Sequence, residues 1–413
     1  MKILIAMDSS AHSERALDFV ARMRWPAGSR VIVLSILQPV ASSVAGPYEA
    51  TVIAQDNLEA LRRQLHRADT AQERLVGARP GNLDSILPLL RCPIDGEALA
   101  WDRIAGELRD PSHSYLIKDG IPLLFARRTD APVIENDVTD VVREFYEDTP
   151  FPNYDGLDSR ESLRTKARAS VAAQLLDQEI PKSAKILEVG CGTGQMTNFL
   201  AMTPGRTVIG SDICHNSLSL AVGFRDRFGI NNAHFVQMNL FDPFFRQHSF
   251  DVLISNGVLH HTGDAAAAFR SIQELVRPRG YAIIGLYNWL GRLPTLWLRS
   301  LIHRFGDFAA LLDSRMRQER DPGRRRAWFM DQYKHPHETK HSIDEVMHWF
   351  DQADFDFVSC IPTIGDSEFT PDMRLFEPHP KGSYLDRIST ELEMLISGGT
   401  DGGLYVMIGR KRG

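Results

Sequence analysis

The sequence predicts an α/β protein built around a mostly parallel sheet with helices on its faces. Three observations predict it. Short apolar runs alternate with amphipathic helical patterns through residues 138–290. A glycine-rich turn, Gly190-Cys-Gly-Thr-Gly194, sits between an apolar strand and a helix. Two further apolar runs, "KILIAM" and "SRVIVLSIL", flank a helical pattern near the start of the chain.

The 413 residues are 43% hydrophobic and 24% charged, with a formal net charge of −6, a composition ordinary for a globular protein. The acidic balance speaks against a general nucleic-acid binder. No apolar run reaches the ~18 residues that span a bilayer, so no membrane role is expected. Cys92, Cys191, Cys214 and Cys360 form no CxxC pair. That predicts free thiols and a reducing, cytoplasmic setting.

Four zones follow in order. Residues 1–77 read as strand, helix (Glu14–Met23), strand and a charged helix over 55–75. Ser9, Ser10 and Ser13 are available as N-caps. Residues 87–126 form a small second module, and Arg127–Asp137 reads as a linker. Residues 138–413 hold the main α/β domain, with a helical, arginine-rich insertion over 289–341. A helix over Ser342–Ala353, a strand over Phe355–Ile361, a polar loop and a last strand, "LYVMIGRK", close the chain.

The chemistry gathers at "ILEVGCGTGQ". Gly190, Gly192 and Gly194 admit positive φ and remove Cβ atoms, so a ligand can lie against the backbone. The helix that follows presents free N–H groups. A dinucleotide fingerprint needs G-x-G-x-x-G. Here the third glycine comes one residue early and Gln195 follows it, a spacing that favours S-adenosylmethionine. Asp212, at the end of "TVIGSD", is placed to accept ribose hydroxyls, with Ile213 beside it. Asn239 and Leu240 end a third strand, where an adenine would lie. Ser255 and Asn256 end a fourth, "FDVLISN". Glu188 either caps the glycine turn or reaches the ligand's amino group, and Cys191 reads as a small turn residue.

Together "ILEVGCGTGQ", "VIGSDI", "FDVLISNGVLHH" and "LVRPRGYAIIG" resemble the class I S-adenosylmethionine-dependent methyltransferases. The resemblance implies a Rossmann-like seven-stranded sheet whose last strand is antiparallel, with S-adenosyl-L-methionine as cofactor. Asn239 stands where many members carry Asp, and Arg279 where Gly is usual. Two segments would cover the acceptor. One is "EFYEDTPFPNYDG", Glu144–Gly156. The other is the insertion, with "DQYKHPHETKH". His260, Tyr333, His335 and His337 are the catalytic candidates. His260 and His261 read as structural residues at a helix start, or as lining of the substrate pocket. His335, His337, Glu338 and His341 suggest a metal only through a tight bend, so no metal is expected there. "RMRQERDPGRRR", Arg315–Arg326, reads as a solvated helix and turn, or as a binder of a phosphate, an acidic acceptor or RNA.

Residues 1–77 resemble the first half of a universal stress protein domain, in which an acid like Asp8 lies near nucleotide. The family's later glycine-rich phosphate element is missing here. A scaffold or a homodimer contact is expected instead of nucleotide binding. Residues 87–126, through "LLRCPIDGEALAW" and "SYLIKDGIPLLF", resemble Trm112-like or zinc-ribbon-like modules, which offer CPxC. Asp95 replaces the second Cys and no later Cys pair exists, so a metal-free structural module is expected. Three functions stay open: methylation of a small-molecule acceptor, methylation of RNA or protein, and a non-catalytic cofactor-binding sensor.

Overall fold

A computed structural model describes residues 2–7, 30–35, 83–125, 137–152, 154, 158–319, 321–365, 370–396 and 402–413. The helices expected over 14–23 and 55–75, the linker after Phe125 and Asp8 lie outside the described residues. The chain divides into two compact units, Met1–Ala78 and Arg79–Gly413. In the first, β1 (Lys2–Met7) and β2 (Arg30–Ser35) pair in parallel, Lys2 opposite Arg30 and Met7 opposite Ser35.

The second unit begins with two short 3₁₀ turns and four antiparallel strands. These are β3 (Ala100–Asp102), β4 (Glu107–Arg109), β5 (Ser114–Lys118) and β6 (Ile121–Pro122). They are fastened to the large sheet by backbone bonds. Arg91 N–H donates to Phe244 O at 2.6 Å, Arg246 N–H to Leu89 O at 2.7 Å and Leu124 N–H to Gln237 O at 3.1 Å. Ile86, Leu90, Leu108 and Leu124 belong to the same buried cluster as Val236, Met238, Phe244 and Phe245.

The large sheet contains β7 (Lys185–Val189), β8 (Thr207–Asp212), β9 (Ala233–Gln237), β10 (Phe250–Asn256), β11 (Val276–Tyr287), β12 (Phe355–Ile361) and β13 (Leu404–Lys411). Their order is β12-β13-β11-β10-β7-β8-β9. β13 pairs antiparallel with both neighbours, and the other pairs are parallel. This is the expected seven-stranded topology. The period of two along each strand sorts side chains onto two buried faces. Ile186, Val208, Ile254 and Ile283 face one core. Leu187, Ile209, Leu253 and Ala282 face the other. Burial on both sides explains why the strands read as continuous apolar runs.

The insertion is helical: Leu293–Phe305, Ser314–Gln318 and Pro322–Phe329, followed by a π-turn over Met330–Lys334. The polar loop expected before β13 is corrected in part, because Tyr384–Ile396 is a helix. Ser383 Oγ accepts from Asp386 N–H at its start, and Thr390 and Met394, four apart, are buried on one face. No described helix is long and apolar enough to cross a membrane.

Arg279, in the turn entering the buried part of β11, has φ +64°. A left-handed conformation costs a non-glycine residue ~1–2 kcal/mol, against ~0.5–1 kcal/mol for glycine's extra chain entropy. Arg279→Gly is therefore expected to raise the melting temperature by about 1–3 °C, measured by differential scanning fluorimetry. A fall would show that the arginine side chain outweighs its backbone strain.

Candidate functional site

The strands β7, β8 and β10 end at one edge of the sheet, where a cavity of about 490 Å³ opens. Val189 feeds directly into the glycine turn. Gly190 and Gly192 have φ of +74° and +52° and line the cavity. A Cβ on Gly192 would run into the Phe151 carbonyl oxygen. The turn is thus shaped to admit the segment 137–152 on one side and a ligand on the other. Gly194, φ +71°, caps the helix Gln195–Leu200. Its absent Cβ would meet Ala221 and Phe235 at 2.6 Å, so its role is packing, not ligand contact.

Two buried acids sit at the strand ends. Asp212 accepts from Gly192 N–H at 2.7 Å and Cys214 N–H at 2.9 Å. Glu188 accepts from the Thr197 hydroxyl. Burial pushes Asp212 up to about 6 and Glu188 up to about 7. The groups opposing that rise are hydrogen-bond donors of the chain, not cations. A ligand carrying an ammonium and several hydroxyls complements such a pair, since both acids keep unused acceptor capacity.

The segment 137–152 roofs the cavity through Val138, Thr139, Val142, Tyr146, Phe151 and Pro152. It is tied down along its C-terminal part. Glu147 in the helix Thr139–Asp148 accepts from His215 N–H at 2.9 Å, at the start of the helix His215–Arg227. The Thr193 hydroxyl donates to Pro152 O.

Glu188, Gly190, Gly192, Gln195, Asp212 and Ile213 line the cavity, as do Asn239, Leu240 and Asn256. Gly194 and Ser255 do not, although the buried Ser255 Oγ has no hydrogen-bond partner. Asn239 accepts from Phe241 N–H at 3.1 Å, holding the loop after β9.

The catalytic candidates fall elsewhere than the sequence suggested. None of His260, Tyr333, His335 and His337 lines the cavity. The Tyr333 hydroxyl donates to Asp313 at 2.8 Å inside the insertion's own core. The His335 ring lies 3.7 Å from that of His261, centroid to centroid, and contacts Phe145 and Tyr146. His261 itself does line the cavity. Its Nδ1 lies 3.0 Å from His337 O, and a carbonyl only accepts, so Nδ1 carries the hydrogen. In the neutral ring Nε2 then accepts from His260 Nε2–H at 3.1 Å. Burial lowers His261 to about 4 and His335 to about 3, so both rings are neutral at pH 7. With its lone pair engaged, His261 is poorly placed to take a proton.

Sequence reasoning missed a further carboxylate at the cavity, Asp331. It lines the cavity, accepts from the Tyr146 hydroxyl at 2.9 Å and from Gln332 Nε2 at 2.8 Å, and is raised above the usual carboxylate range by burial. Gln332 also donates to the Tyr287 hydroxyl at 2.9 Å and accepts from Arg292 at 2.6 Å. Arg292 in turn pairs with Glu338 at 2.6 Å and lies over the Tyr287 ring. Only the tertiary fold brings this network together. In sequence, Asp331 was one acid inside a segment read for its histidines. His341 is bound to Glu345 and Thr339, and Glu338 is held by Arg292.

Residues 180–354 match a family model described as methyltransferase domain, and residues 1–81 match the universal stress protein family. An uncharacterised protein of Synechococcus sp. is 27% identical over 198 residues, covering 42% of this chain and 48% of its own length. A probable tRNA methyltransferase 9B of Homo sapiens is 32% identical over 151 residues, covering 36% of this chain and 29% of its own. The chain thus spans about half or less of these relatives. A solved structure from Rickettsia typhi, PKMT2, is 15% identical, with a TM-score of 0.43 over 63% of this chain and 56% of that one. The family match, the strand order and the acid-and-glycine cradle agree: residues 180–354 are a methyltransferase domain of the S-adenosylmethionine-dependent kind.

Proposed function

We propose that the chain transfers a methyl group from S-adenosyl-L-methionine to a small-molecule acceptor. The observation that carries this reading is a single cavity that runs from the glycine cradle and Asp212 to Tyr146, Tyr287, Trp328 and Asp331. At about 490 Å³ it falls within the ~300–1,000 Å³ range of small-ligand sites. Its roof, segment 137–152, would have to be displaced for a polynucleotide or a folded protein to reach Asp331.

When bound, S-adenosylmethionine supplies an electrophilic methyl carbon. What the chain adds is positioning, worth up to ~7–11 kcal/mol in model reactions. Glu188 and Asp212 hold the amino and ribose groups. Segment 137–152 keeps water from the acceptor. Asp331 orients an acceptor hydroxyl or amine and takes its proton. Arg315, at the cavity wall over the Trp328 ring at 4.1 Å, favours an acceptor that carries an acidic group.

The test is mass analysis of ligand carried through purification, followed by a labelled-methyl screen of metabolite, RNA and protein pools. S-adenosylmethionine or its demethylated product should co-purify, with label entering the small-molecule fraction. Label in RNA or protein, or in no fraction, would reject the reading.

Residues 1–77 are proposed to mediate a homodimer. This zone supplies a two-stranded parallel sheet, and strand edges pair readily with those of another chain. Light scattering should give twice the chain mass for the full chain and the monomer mass after deletion of 1–77. Equal monomeric masses would reduce the zone to an appendage.

A further inference from the structure

We propose that Cys92, Asp95, Asp110 and His113 form a structural site for one divalent transition-metal ion, with zinc the ion their donors suit. Their ligating atoms all lie within 4.8 Å of one another. The pattern is two loops, each with donors three residues apart. Cys92-Pro-Ile-Asp95 forms a tight turn closed by Gly96 N–H to Cys92 O at 2.9 Å and Cys92 N–H to Glu97 O at 2.8 Å. Asp110-Pro-Ser-His113 is the loop between β4 and β5.

The distances match a coordination polyhedron. His113 Nδ1 lies 3.2 Å from Asp95 Oδ2, 3.3 Å from Asp110 Oδ2 and 3.6 Å from Cys92 Sγ. With metal–N and metal–O bonds of about 2.0–2.1 Å and a metal–S bond of about 2.3 Å, a tetrahedron has N···O edges of about 3.3 Å and N···S edges of about 3.6 Å.

The orientation of the carboxylates points the same way. Two carboxylates and a sulfur face the one ring nitrogen. The other oxygen of each carboxylate is already engaged. Asp95 Oδ1 accepts from Glu97 N–H at 3.0 Å, and Asp110 Oδ1 from Ser112 and His113 N–H at 2.6 and 2.8 Å. Both Oδ2 atoms are thereby aimed at the common point. A cation there would take the place of the thiol and ring hydrogens that these acceptors otherwise share. The Tyr115 hydroxyl, 3.0 Å from Cys92 Sγ, would then donate to a thiolate, the kind of outer-shell bond that fixes a metal ligand.

The donor set selects the ion. A thiolate and an imidazole disfavour magnesium and calcium, whereas zinc takes S, N and O donors in tetrahedral geometry. Four protein ligands, with Cys92 only 2% exposed, make a closed, structural site. The sequence hid it because counting cysteines found one ligand and one substitute. The second pair, Asp110 and His113, repeats the spacing with no cysteine at all.

The full chain, purified without chelator, should carry about one zinc ion per chain by plasma mass spectrometry. Cys92→Ser and His113→Ala should each lose it. The chelator-stripped chain titrated with cobalt(II) should develop a thiolate-to-cobalt charge-transfer band that Cys92→Ser lacks. Because either variant can misfold, Asp95→Cys provides the converse test. It should keep zinc and strengthen the cobalt band through a second thiolate. Failure of the stripped wild-type chain to bind zinc or cobalt would overturn the site. So would zinc retained equally by Cys92→Ser and His113→Ala, or a cobalt band unchanged in Asp95→Cys.

Discussion

Asp331→Asn is expected to lower the rate of methyl transfer by ~10²–10⁴-fold, the usual worth of a general base, with affinity for S-adenosylmethionine unchanged. The carboxylate lines the same cavity as Gly190, Glu188 and Asp212, and in the proposed reaction it serves the acceptor while those three serve the cofactor. It is held there by Tyr146 and by Gln332, whose own carbonyl is fixed by Arg292. Because burial raises its pKa, the acid limb of the rate profile should lie above the ordinary carboxylate range. Below that limb Asp331 is protonated and cannot accept; above it the rate levels off. Asn cannot titrate, so the limb should vanish in the variant. Tyr146→Phe should shift the limb upward, since it removes a donor that favours the charged form. The measurement is a kcat profile on the acceptor returned by the labelled-methyl screen. An unaltered profile in Asp331→Asn would leave the residue a scaffold and nothing more.

Asp212→Ala is expected to weaken S-adenosylmethionine binding by ~1.5–3 kcal/mol, the scale of hydrogen bonds to a charged group. Titration calorimetry measures it. The sign of the pH effect follows from burial. Asp212 in the folded chain titrates near 6, about two units above an unfolded aspartate. The folded state therefore binds a proton that the unfolded chain has released, and this group's contribution to stability declines as pH rises from about 4 to 6. A ligand whose hydroxyls donate to the charged form acts in the opposite sense. Affinity should be highest above about pH 7 and fall by up to about tenfold per unit below pH 6. Glu188, near 7, acts in the same direction when it meets an ammonium. The Asp212→Ala variant should lose the part of this dependence centred near 6. Equal affinity in variant and wild type would remove Asp212 from the site.

What was legible in the sequence depended on how locally each feature is determined. Apolar runs buried on both faces announced β7, β8 and β10 without reference to anything distant. The glycine turn and Asp212 were equally plain, because a strand end fixes both position and chemistry. The acceptor side was not legible. His335 and His337 drew attention by their density, yet the ring that reaches the cavity is His261, and its lone pair is occupied by His260. Asp331 gains its meaning from Tyr146, 185 positions away. Asp110 and His113 likewise matter only because two loops fold against each other. The helix Tyr384–Ile396 buries Thr390, Glu391 and Met394 while Tyr384, Leu385 and Ile396 stay exposed, so its packing face is not the apolar face that the sequence displays.

The bonds that join β3–β6 to the large sheet have a practical corollary for anyone cutting this protein. A fragment trimmed to residues 180–354 would leave Val236, Met238, Phe244 and Phe245 without the Ile86, Leu90, Leu108 and Leu124 that now cover them. Such a fragment would be sticky and aggregation-prone, whatever its glycine turn could still bind. A protease nick between residues 126 and 136 should have the opposite outcome. The two pieces would stay together through shared greasy contacts and the Arg91–Phe244 and Leu89–Arg246 bonds, and run apart only in denaturant. A fragment that keeps this core covered thus starts near residue 83, almost a hundred positions ahead of the family match that begins at residue 180.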